Sequence, residues 1–64
     1  MKVGDLLQDI EYGDVGLLVK IDKTREHNSP HPRTHLVLDC KYGQLHWLEE
    51  EYILQDCEVI DESR

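Results

Sequence analysis

Along most of this chain apolar residues recur at every second position, the period of a half-buried strand rather than of a helix. Val15, Leu17, Val19 and Ile21 alternate with Gly16, Leu18, Lys20 and Asp22. Leu36, Leu38 and Cys40 form a second alternating set, Leu45 and Trp47 a third, and Val59 falls in a short fourth. Lys2-Val3-Gly4-Asp5-Leu6-Leu7 reads as a further strand at the start of the sequence. The only helical candidate is Glu49-Glu50-Glu51-Tyr52-Ile53-Leu54. Carboxylates crowd its first turn, where the helix dipole favours them, and its length allows one or two turns.

A tight turn centred on Tyr42-Gly43 joins two of these strands, and the pattern sets their register. It predicts Cys40 opposite Leu45 and Leu38 opposite Trp47, so that Leu36, Leu38, Cys40, Leu45 and Trp47 share a buried face. Asp39 then stands opposite His46 on the solvent face. Gly13-Asp14 supplies a second turn, and Gly4, Gly13 and Gly16 mark places where strands bend or backbones come close. Between Ile21 and Thr34 lies one long segment, Lys23 to Arg33, read as an irregular loop. Pro30 and Pro32 exclude helix and ladder pairing around them. Five short strands and a helical turn before the last one predict an all-β fold, a small five-stranded antiparallel barrel over residues 1–64. Curling of such a sheet removes exposed edges. The predicted interior is Leu17, Val19, Leu36, Leu38, Trp47 and Val59.

The 64 residues bound the chain to a single small domain, with little material for the walls of a catalytic cleft. Net charge is −7, which opposes nonspecific binding to nucleic acid. The charge is unevenly placed. Residues 20–33 hold Lys20, Lys23, Arg25 and Arg33 against Asp22 and Glu26. Residues 49–62 hold Glu49, Glu50, Glu51, Asp56, Glu58, Asp61 and Glu62 with no basic residue. No apolar run reaches the length of a membrane span, and no basic segment precedes an apolar one as in a secretory leader. A cytoplasmic location is therefore expected, with Cys40 and Cys57 as free thiols.

His27, His31 and His35 fall four apart, but Pro30 and Pro32 deny them a helix that would align them. Without a Cys-x-x-Cys pair to join them, these histidines and Cys40 read as no metal site. Neither serine suits a nucleophile, and Cys57 lies between Asp56 and Glu58, whose charges disfavour a thiolate. Phosphate-binding glycine loops are absent. No enzyme activity and no cofactor are expected.

Val3-Gly4-Asp5-Leu6-Leu7 followed by Tyr12-Gly13-Asp14-Val15-Gly16-Leu17-Leu18-Val19-Lys20-Ile21 resembles the opening of SH3-like barrels of the KOW and Tudor type. The turn at Glu50-Glu51-Tyr52 before Cys57-Glu58-Val59-Ile60 fits the same plan. The whole arrangement is similar to uncharacterised small proteins of bacteriophages, marine ones among them. That resemblance implies the fold, and a host cytoplasm if the chain is phage-encoded. It departs from KOW domains in lacking a basic surface overall, and from Tudor domains in lacking an aromatic cage. The expected function is a non-enzymatic binding module acting on another protein. Lys23, Arg25, His31 and Arg33 are the expected contact residues, because arginine forks suit carboxylate or phosphate and His31 adds a contribution near neutral pH. The alternatives are a KOW-like nucleic-acid module and a small homo-oligomeric assembly protein.

Overall fold

The structure, a computed structural model, describes residues 1–28 and 30–60, with the backbone alone for 26–28. Five strands form one antiparallel sheet: β1 (Leu6–Asp9), β2 (Val15–Ile21), β3 (Arg33–Asp39), β4 (Leu45–Glu49) and β5 (Cys57–Ile60). Their spatial order is β4-β3-β2-β1-β5, and a short helix, α1 (Glu50–Asp56), precedes the last strand. The expected all-β plan with its single helical turn is present. No described helix is long and apolar enough to cross a membrane.

The buried face is the opposite of the expected one. Leu7, Leu18, Val37 and Ile53 form the core, with Ile21, Leu48 and Cys57 packed against them. Leu17, Leu36, Leu38 and Trp47 lie on the other side of the sheet and are half-buried, while Val59 is exposed. Two local features decide this. A Cβ on Gly16 would clash with the Val37 side chain, so the glycine side of β2 is the closely packed side. A bulge between Leu18 and Lys20 then lets Leu18, opposite Val37, and Ile21, opposite His35, both face inward although they are three residues apart. The outer face keeps a row of neighbours across all five strands: Ile60, Leu6, Leu17, Leu38 and Leu45. Apolar residues thus line both faces of β2 and β3, so counting them does not choose the core side.

The hairpin register also differs. Leu38 pairs with Leu45, Leu36 with Trp47 and Val37 with His46, two residues from the expected alignment. The cause is a longer turn. Asp39 accepts the Lys41 and Tyr42 amides on Oδ1 at 2.8 and 3.3 Å, and its carbonyl accepts the Gly43 amide at 2.7 Å. Asp39 is therefore a turn residue and does not pair with His46. The β1–β2 turn has the same construction. Asp9 Oδ1 accepts the Glu11 and Tyr12 amides, both at 2.8 Å, and its carbonyl accepts Gly13 N–H. Asp9-Ile10-Glu11-Tyr12-Gly13 and Asp39-Cys40-Lys41-Tyr42-Gly43 are one Asp-x-x-Tyr-Gly turn used twice. Each ends on a glycine with positive φ, 79° at Gly13 and 72° at Gly43. The two turns lie side by side, joined by the Cys40 amide donating to the Val15 carbonyl.

Two further boundaries move. β1 starts at Leu6, because residues 2–5 close a turn in which the Asp5 carboxylate accepts the Lys2 amide. Lys23–Asn28 is a 3-10 helix rather than irregular chain. Asp22 starts it: its Oδ1 accepts the Thr24 amide and hydroxyl, and its carbonyl accepts Arg25 N–H. The prolines lie beyond its end and do not oppose it.

Candidate functional site

The 3-10 helix places Arg25 over the outer face of the sheet. Its Nε–H donates to the Arg33 carbonyl at 2.8 Å, and its guanidinium carbon stands 3.9 Å from the centroid of the Trp47 ring. A flat cation on an indole face is a favourable pairing, worth about 0.5–1 kcal/mol where partly exposed. It also fixes the plane of the guanidinium while the bond to Arg33 fixes its rotation. Arg33 opens β3 and pairs with Glu49 across the bulge at Thr34. Among the described residues, neither Arg25 nor Arg33 has a carboxylate within ion-pairing distance.

These two arginines flank a shallow groove that follows β4 from Leu45 to Glu49 and ends at Tyr52 on α1. Leu45 is 58% exposed there. Strand β4 lies at the end of the sheet order, and among the described residues it pairs with β3 alone. The structure thus unites Arg25 and Arg33 of the four expected contact residues. It puts the other two elsewhere.

His31 Nδ1 lies 3.8 Å from Glu49 Oε1 in a second concavity, between Pro30, Pro32 and the start of α1. His31, Glu49 and Glu51 offer ligand atoms within 4.8 Å of one another, all on the protein surface or near it. This trio is not the set of histidines with Cys40 considered from the sequence. Of that set, His35 is buried with its Nδ1 2.8 Å from Thr34 Oγ1, Cys40 is exposed at the far turn, and the His27 side chain lies outside the described residues. Lys23 is exposed on the 3-10 helix and does not line the groove.

A cavity of about 170 Å³ opens at the end of the sheet near the twin turns, bounded by Leu7, Gly16, Val37, Leu48, Tyr52 and Cys57. The Tyr52 hydroxyl donates to Asp9 Oδ2 at 3.1 Å. Burial, reinforced by Asp9, pushes the Tyr52 pKa up to about 12. Burial first, and then the Asp9 and Asp56 carboxylates, push the Cys57 thiol up as well. Both shifts favour the protonated form of the group. Cys40 and Cys57 are free thiols.

Trp47, Leu45 and Tyr52 were not legible as site residues. Trp47 reads as core because its strand alternates, and only the Asp22 cap, which carries Arg25 over it, gives it another role. The signal for that cap was Asp22 two residues before Thr24. Compared with known families, curated proteins and solved structures, the chain matches none of them.

Proposed function

We propose that this chain is a non-enzymatic binding module that captures an acidic segment of another protein in the groove flanked by Arg25 and Arg33. One observation carries the reading: on a chain of net charge −7, two arginines with no carboxylate within ion-pairing distance among the described residues flank one groove, Arg25 standing over the Trp47 ring. A solvated surface charge needs no such positioning. A guanidinium held by a ring and a carbonyl loses little freedom when it meets a carboxylate, so more of the contact energy appears as affinity.

Stacked arginine and tryptophan also suit a single-stranded nucleic acid, the ligand of the KOW-like alternative, although the net charge opposes it. Affinity capture from a lysate of the source cells separates the two. Wild-type protein should retain proteins that resist nuclease, and the Arg25→Glu/Arg33→Glu variant should lose them while remaining folded by circular dichroism. Capture abolished by nuclease would move the function to nucleic acid. Capture unchanged in the double variant would remove the groove from consideration.

A further inference from the structure

Strand β4 borders the groove with its backbone as well as its side chains. In an antiparallel ladder, hydrogen-bonded and non-bonded pairs alternate. The Asp39 amide donates to the Gln44 carbonyl at 2.7 Å, which makes Asp39 and Gln44 a bonded pair. With Val37 opposite His46 and His35 opposite Leu48, the bonded pairs continue through His46 and Leu48. The amides and carbonyls of Leu45 and Trp47 therefore point away from β3, along the groove. Natural sheets blunt such edges with lysine, proline or bulges. Leu45-His46-Trp47-Leu48-Glu49 contains no lysine and no proline.

We propose that the acidic partner binds by adding an extended strand to the outer edge of β4, which no described strand pairs, bonding to the backbone of Leu45 and Trp47 while its carboxylates meet Arg25 and Arg33. This deepens, and rests on, the reading of the groove as the protein-binding site. Main-chain pairing supplies affinity in this mode of recognition, and side chains at alternate positions supply selectivity. The arginines select for acid, whereas Glu49 at the end of the strand excludes it there. The acidic positions of the partner thus face Trp47 and Arg25. A second copy of this chain is the wrong occupant, since antiparallel pairing of β4 with its counterpart about Trp47 would bring the two Arg25 side chains together.

The test uses the full chain and a short capped peptide of alternating glutamate and valine, with Trp47, the single tryptophan, as the fluorescent reporter. Three comparisons accompany it: the same peptide with alternate amides N-methylated, a lysine-valine peptide, and protein variants. Leu45→Pro removes an outward-facing amide at an edge position where proline is tolerated, and Leu45→Ala keeps it. The glutamate-valine peptide should bind about tenfold or more tightly than the lysine-valine one. N-methylation and Leu45→Pro should each weaken it by a similar factor, and Leu45→Ala, which keeps the amide and loses only side-chain contact, should weaken it less. Should Leu45→Pro fail to fold, the N-methylated peptide decides alone. Binding that depends on Arg25 and Arg33 yet ignores N-methylation would overturn strand addition and leave the groove reading intact. Absence of binding, or binding indifferent to Arg25→Gln/Arg33→Gln, would overturn both. Association of the protein with itself in sedimentation, unaffected by the peptide, would assign the edge to a second copy and also end the proposal.

Discussion

Gly16 on β2 and Val37 on β3 approach so closely that a Cβ on the glycine would stand 2.5 Å from Val37 Cγ1. It would also lie 3.3 Å from the Leu38 carbonyl oxygen, which belongs to the ladder and cannot swing aside. Gly16→Ala should therefore destabilise the protein by about 1–3 kcal/mol, the usual range for an overpacked core. Urea unfolding followed by circular dichroism measures it. A variant as stable as wild type would show that β2 and β3 are further apart.

The reversed face has a direct test in two leucines of the paired strands. Leu18 is fully buried, so Leu18→Ala should cost about 2–5 kcal/mol, enough to threaten folding of so small a domain. Leu38 is half-buried on the outer face, and Leu38→Ala should cost about 1 kcal/mol. Equal losses, or the reverse order, would restore the face expected from the alternation.

Acid should weaken the fold in two separate windows. His35 is buried, and burial above all holds its pKa below the usual 6.5, with Lys23 adding to and Glu50 opposing that shift. The unfolded chain then binds more protons than the folded one below pH 6.5, so stability is full above that value and declines as pH falls toward the folded pKa. The slope approaches about 1.4 kcal/mol per pH unit within that window. Asp5, Asp9 and Asp22 titrate lower. Hydrogen bonds hold their carboxyls below the usual 3.8, so their contribution is present above that value and lost as pH falls through the folded pKa values. Melting temperatures across pH should show both declines, and His35→Gln should flatten the upper one only.

The twin turns should respond alike. Gly13 and Gly43 both hold positive φ, and a Cβ would meet only Gln8 Nε2 at 4.0 Å at Gly13 and nothing at Gly43, so conformation rather than crowding is at stake. Replacing either by alanine should cost about 1–2 kcal/mol, and by asparagine less, since asparagine tolerates this region. A melting series of the four variants would show whether the two hairpins are equivalent.

How much of this was legible follows from where the information is local. Strand existence, a helical turn within residues 49–54 and the turn glycines come from short-range pattern, and the structure has them, with the helix running over Glu50–Asp56. The face of β2 depends on a bulge at Val19 and on a contact between Gly16 and Val37, which lie far apart in sequence. The Asp-x-x-Tyr-Gly segment occurs twice in the sequence, and Asp9 and Asp39 set the same turn and register in both hairpins. Arg25 and Arg33 stand out as basic residues in an acidic chain, but their meeting at one groove, with Arg25 over Trp47, requires the 3-10 helix that Asp22 begins.

The doubled turn bears on the order in which the chain acquires its structure. Each Asp-x-x-Tyr-Gly segment closes a hairpin from neighbouring residues, a step that pays little loop entropy and takes microseconds. Pairing Leu6 with Ile60, by contrast, joins the two ends of the described chain. The folding barrier then lies at the meeting of the preformed hairpins, with β5 added on the downhill side. Weakening either turn should slow refolding, whereas weakening β5 should leave refolding unchanged and hasten unfolding. Resistance of this protein to transient opening would then be set at the β1–β5 seam, far along the sheet from the β4 edge.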